Sequence, residues 1–87
     1  MKTSVEISYY PLNEEYTKPI EKFLEALRSY KEIKIITNGM STQIFGEYDD
    51  VMKILTKEIK EAFQNPNSIF VMKIANACLD NYTLPSN

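Results

Sequence analysis

The chain has 87 residues, 44% of them hydrophobic and 25% charged, with a formal net charge of −2 and no histidine. That length leaves room for one hydrophobic core, since so short a chain buries only about 60–65% of the surface its unfolded form exposes, and the composition excludes a disordered chain. The slight acidity gives no electrostatic reason to approach a phosphate backbone or an anionic membrane, so neither is expected as a partner.

Residues 4–10 alternate Val5, Ile7 and Tyr9 with Ser4, Glu6, Ser8 and Tyr10, the period-two pattern of a half-buried strand, which Pro11 ends. Thr17 is placed to cap a helix that carries Pro19 in its first turn, where a missing N–H costs nothing. Ile20, Phe23, Leu24, Leu27 and Tyr30 follow at helical spacing. The β-branched run Ile33-Lys34-Ile35-Ile36-Thr37 predicts a second strand. It stops at Asn38-Gly39, a pair suited to a type I′ hairpin turn, and a third strand is expected from Met40 to about Tyr48.

Asp49 and Asp50 stand where a helix N-terminus favours acid, and Val51, Met52, Leu55, Ile59 and Phe63 mark the buried stripe of a second helix. Asn65-Pro66-Asn67 closes it. Residues 68–75, dense in Ile69, Phe70, Val71, Met72 and Ile74, predict the last strand. From about residue 77 an irregular tail is expected.

Each half reads strand, helix, strand. Right-handed crossovers and a hairpin between the middle strands give an α+β ferredoxin-like βαββαβ sandwich over residues 1–87, a four-stranded antiparallel sheet with both helices on one face. The first and third strands belong at its centre. A single cysteine, Cys78, leaves no intramolecular disulfide, and without histidine there is no Cys/His zinc site. The N-terminus has no apolar leader, and no stretch approaches the roughly 18 apolar residues of a membrane span. A cytoplasmic protein, complete as written, is the expectation.

The residues argue against catalysis of the usual kinds. There is no histidine to act as general base, and Cys78 has no cationic neighbour in sequence. Two glycines, Gly39 and Gly46, cannot form a phosphate-binding loop; Gly46, inside a strand, suggests a bulge, packing against a helix or direct contact with a ligand. Tyr10 and Phe45 resemble an RNA-stacking platform, but Gln43 and Glu47 stand where such a platform needs lysine and arginine.

What remains is a polar, partly aromatic surface. If Val5, Ile7, Thr42 and Ile44 point toward the helices, then Glu6, Ser8, Tyr10, Ser41, Gln43, Phe45, Glu47 and Lys73 share the opposite face; a shift of one residue in the third strand would reverse its share. Glu6 and Glu47 would then face the same way. Such a face suits a second subunit, a small polar ligand, or both.

The opening Val5-Glu6-Ile7-Ser8-Tyr9-Tyr10-Pro11-Leu12, the segment from Thr37 through Met40-Ser41-Thr42 and Gly46-Glu47 to Asp49, then Val51-Met52 and Phe70-Val71-Met72-Lys73-Ile74, together resemble the YkoF-like thiamine-binding family, in its short single-domain form. The resemblance implies a ferredoxin-like fold, a homodimer or homotetramer, and binding of thiamine or its hydroxymethylpyrimidine moiety without catalysis and without a cofactor. The ligand-binding candidates are Glu6, Ser8, Asn38, Thr42, Gln43, Phe45 and Glu47. A carboxylate at Glu6 or Glu47 can pair with the pyrimidine edge or the cationic ring, Ser8, Thr42 and Gln43 can satisfy the remaining polar atoms, and Phe45 can stack. An amino-acid-sensing regulatory module is the alternative. A small dimeric α+β enzyme, an isomerase or a cofactor-free oxygenase, is a third reading that the lack of histidine disfavours.

Overall fold

The alternating N-terminal segment forms β1 (Lys2–Pro11), followed by α1 (Thr17–Arg28), β2 (Lys34–Thr37), β3 (Thr42–Glu47), α2 (Tyr48–Ala62) and β4 (Ser68–Ala75) in a computed structural model that describes residues 1–80. The sheet order is β2-β3-β1-β4, and every pairing is antiparallel. The ferredoxin-like arrangement expected from the sequence is therefore the one formed, with β1 and β3 central. The stretch beyond residue 80 expected to be irregular lies outside the described residues.

Register decides which side chains meet. Val5 pairs with Ile44 and Ile7 with Thr42, and these side chains turn toward the helices, where Phe23 and Leu27 of α1 and Val51, Ile54 and Leu55 of α2 complete the core. The alternation of β3 falls as Thr42 and Ile44 inward, Gln43 and Phe45 outward. Gly46 sits in unbroken register opposite Thr3, so no bulge forms there. A Cβ at that position would lie 3.2 Å from the Glu32 carbonyl oxygen and 3.3 Å from methyl carbons of Ile33 and Val51. Glycine is what lets the start of α2 and the entry to β2 close over the end of β3.

Several local expectations are corrected. Tyr16, not Thr17, holds the N-cap position of α1 and makes no side-chain capping bond. Pro19 still falls in the first turn, where the absent N–H is harmless. Glu47 takes the N-cap of α2, again without a capping bond, because its carboxylate is turned to the Met1 ammonium and Lys2. Asp49 and Asp50 lie in the first turn, where the positive end of the helix dipole still favours them.

The hairpin turn is not type I′, since neither Asn38 nor Gly39 has positive φ. Instead the Asn38 side-chain oxygen accepts from the N–H groups of Met40 at 2.9 Å and Ser41 at 3.1 Å, while the Asn38 N–H donates to the Ser41 carbonyl. This Asx-type closure draws Met40 and Ser41 into the turn and delays β3 to Thr42. Phe63, expected in the buried stripe, is exposed, and its place is taken by Ile54 and Glu58. No helix among the described residues is long and apolar enough to cross a membrane.

Gly46→Val should test the close approach. Overpacking of a filled core costs about 1–3 kcal/mol, so urea denaturation should show an unfolding free energy lowered by that amount, seen as a lower midpoint at unchanged slope; an unchanged midpoint would mean that Ile33 and Val51 yield freely.

Candidate functional site

The face of the sheet away from the helices carries a row at each pairing step. Ile36, Gln43, Glu6 and Lys73 form one row across the four strands, and Lys34, Phe45, Ser4 and Ala75 the next. After Ala75 the chain turns back along this second row. The Ser4 hydroxyl donates to the Ala77 carbonyl at 2.6 Å and accepts from the Leu79 N–H at 2.9 Å. The crossing ends where Lys34 meets Asp80 at 3.1 Å. Residues 76–80 thus form a strap from one edge of the sheet to the other.

The strap explains an unexpected burial. Phe45, an outward residue expected to face a subunit or a ligand, is only 5% exposed, and together with Leu79 it lines a groove of about 440 Å³ that runs to Glu6, Gln43 and Lys73. Its ring is covered by its own chain. The strap also separates the two carboxylates: Glu6 pairs with Gln43, whereas Glu47 lies beyond Phe45 opposite Lys2. They share a face but not a site. Glu47 is occupied by the Met1 ammonium at 3.0 Å and Lys2 at 3.2 Å, first the ammonium and then Lys2 holding its carboxyl below the usual range.

Glu6 is held loosely. One oxygen accepts from the Ser41 hydroxyl at 3.2 Å and the other stands 3.7 Å from the Lys73 ammonium, an exposed pair of little worth. Ser41 leads from Glu6 to a second feature. Pairing of β1 with β3 ends at Ile7↔Thr42, while β1 runs on beside β4 to Pro11↔Ser68. From Ser8 onward the β3 side of β1 has no strand against it among the described residues. The notch is a hollow of about 230 Å³ reached by Ser8, Tyr10, Asn38, Ser41 and Thr42, with the Thr37 and Thr42 hydroxyls 3.3 Å apart at its margin.

The seven residues singled out from the sequence therefore divide. Ser8, Asn38 and Thr42 line the notch, with Glu6 joined to it through Ser41; Glu6, Gln43 and Phe45 line the groove; Glu47 lies in neither. The Asn38 side-chain oxygen is already committed to the turn. Backbone groups along an unpaired strand edge, hydroxyls and a carboxylate together offer donors and acceptors to a flat polar heterocycle. Among the described residues no group of three or more acidic or cysteine side chains could hold a metal ion. Sequence reading missed Glu58, a buried carboxylate in α2 that accepts from the Tyr30 hydroxyl at 2.6 Å. Its spacing from Val51, Ile54 and Leu55 was the available signal.

The family model described as thiamine-binding protein matches residues 5–77. Among solved structures, a Streptococcus pneumoniae protein is 24% identical, with 88% of each chain covered and a TM-score of 0.81. A Thermotoga maritima protein provisionally named for thiamine biosynthesis/salvage is 19% identical, with 88% of this chain and 85% of that one covered and a TM-score of 0.79. A hypothetical protein of Methanocaldococcus jannascii is 23% identical, with 95% and 88% covered and a TM-score of 0.75. At these identities the likeness shows the fold. A search of curated proteins finds no match.

The strap has its own test. The Cys78 thiol, which donates to Asp80 at 3.2 Å, and then Lys34 hold the Asp80 carboxyl below its ordinary value. A depressed carboxylate contributes its stabilisation above its unfolded pKa and loses it as pH falls through the folded value, so the strap should loosen on acidification while the sheet persists. Ser4→Ala should loosen it at neutral pH by removing both hydroxyl contacts. Hydrogen exchange at the Leu79 amide, corrected for intrinsic rate, should accelerate in both cases with the β1 amides still protected; equal protection of Leu79 in Ser4→Ala would show that the strap does not depend on that hydroxyl.

Proposed function

The chain belongs to the thiamine-binding protein family, whose model covers most of its length, and from that premise we propose that it is a non-catalytic protein that binds thiamine or its hydroxymethylpyrimidine moiety. The observation that carries the reading is that Ser8, Ser41 and Thr42 line the notch left where β3 stops short of β1, with the Glu6 carboxylate held to its rim by the Ser41 hydroxyl. An aminopyrimidine presents an edge of alternating donor and acceptor atoms, which an unpaired strand edge complements as a neighbouring strand would. The ring needs flat walls, which Tyr10 and the apolar side chains of α1 at the floor, Ile20 and Leu24, supply.

Glu6 is the charged anchor in this reading. Its present cation, Lys73, is distant and exposed, so a thiazolium or a protonated pyrimidine can take its place at small cost. Gln43 lies beside it in register, and Phe45 forms the closed end of the groove under the strap. Glu47 is left out, because it lines neither the groove nor the notch.

A second copy of the chain is the proposed partner of β4. Among the described residues this outermost strand has no neighbour on one side, and Ile69, Val71, Met72 and Ile74 are exposed on its two faces. Lys73 is its only charge. Exposed apolar edges of this kind are normally covered, so the surface for association is assigned here to β4, in place of the buried Phe45.

Two measurements test these assignments. Glu6→Gln keeps shape and removes charge; a charge-assisted hydrogen bond contributes about 1.5–3 kcal/mol, so calorimetry should show thiamine affinity roughly tenfold to a hundredfold weaker. Absence of heat and of thermal shift with wild-type protein and either ligand at millimolar concentration would sink the vitamin reading, and an amino acid giving a shift in the same screen would replace it. For the edge, light scattering should give the mass of two or four chains for wild type and of one chain for Val71→Lys. A wild-type protein at single-chain mass at micromolar concentration would remove the partner assignment and leave the ligand assignment standing.

A further inference from the structure

On the helix side of the sheet, the first turns of α1 and the last turns of α2 part to leave a cleft of about 430 Å³, separated from Glu6 by the sheet itself. Tyr9 and Phe23 line it with rings 5.5 Å apart at 69°, and Phe70 stacks behind Tyr9 at 4.3 Å. Lys18 and Lys22 flank the cleft from α1, Glu58 and Glu61 from α2. Lys18 is drawn to Glu15 at 3.3 Å.

Glu58 is the unusual member. It is only 9% exposed, yet among the described residues no lysine or arginine nitrogen lies within 4.0 Å of it. One hydrogen bond, from the Tyr30 hydroxyl at 2.6 Å, is what holds it, and that bond is the first reason the Tyr30 phenol is held above its ordinary value. A buried carboxylate without a cation is costly. A residue of α2 chosen for packing would be apolar here, as Val51, Ile54 and Leu55 are on the same stripe.

We propose that this cleft is a second ligand site, independent of the thiamine reading, for a planar amidinium-type cation on an aromatic ring whose far end carries an anionic group. Two parallel N–H donors match a carboxylate in bidentate fashion, so Glu58 takes the amidinium. The ring lies against Tyr9 and Phe23, whose faces favour a delocalised cation. Lys22, with no ion-pair partner among the described residues, meets the anionic end at the mouth. An occupant bridges α1 and α2 and ties their ends together.

The probes are 4-carboxybenzamidine and benzamidine, titrated into the full chain and followed by amide NMR shifts. The carboxylated probe should shift Phe23, Ala26 and Ala62 and bind more tightly than benzamidine. Glu58→Gln should weaken it at least tenfold, and Lys22→Ala should erase its advantage over benzamidine. Ala26→Leu narrows the cleft without touching the Glu58–Tyr30 pair and should also weaken binding, which guards against a Glu58 variant that fails to fold. Thiamine affinity should be the same in Ala26→Leu as in wild type. No shifts at these residues at millimolar probe, equal affinity in Ala26→Leu, or displacement of the probe by thiamine would each overturn the proposal.

Discussion

The position of β1 between β3 and β4 governs the whole molecule. Its seven-residue alternation places Val5 and Ile7 in the core and Glu6 and Ser8 on the other face, and the pairings Val5↔Ile44 and Val5↔Ile74 transmit that choice to both neighbours. A slip of one residue would drive Glu6 into the apolar layer formed by Leu27, Leu55 and Ile44, at a cost no surface contact could offset. The polar groups are thus aligned by the same force that packs the core, and the site follows from the hydrophobic register.

The extent to which the sequence disclosed this depends on whether the signal was local. Periodicity in residues 4–10 and 42–47 and the apolar spacing of the helices carried the fold, because burial of one face leaves its mark on every second or every third to fourth residue. The Asn38-Gly39 pair announced a turn but not its geometry: the Asn38 side chain competes with the backbone for the Met40 and Ser41 N–H groups, and that competition has no sequence signature separate from the I′ preference. The burial of Phe45 was illegible for a different reason. It depends on a strap more than thirty residues distant, whose anchoring by Ser4 involves residues with no pattern of their own.

Three glutamates show how position within the fold decides chemistry that composition cannot. Glu47 is at a sheet corner beside two ammonium groups and is neutralised; Glu6 is half-exposed between a hydroxyl and a distant lysine; Glu58 is buried against a phenol. Counted in the sequence they are alike. In the fold one is an ion pair, one a replaceable contact, and one a carboxylate with no counter-ion among the described residues. The first two were weighed together from the sequence because both alternate with apolar neighbours, and their separation by the strap is what distinguishes them.

The strap also has a consequence for the order in which the molecule comes together. Its contacts join residue 4 to residues 77 and 79, separations of 73 and 75 positions, and β4 must pair with β1 across nearly as great a distance. Contacts of such long range close large loops and form late. During synthesis from the N-terminus the first strand therefore waits, with its β4 edge open, until both helices and the strands between them have been made. The central strand of the finished sheet begins as an edge.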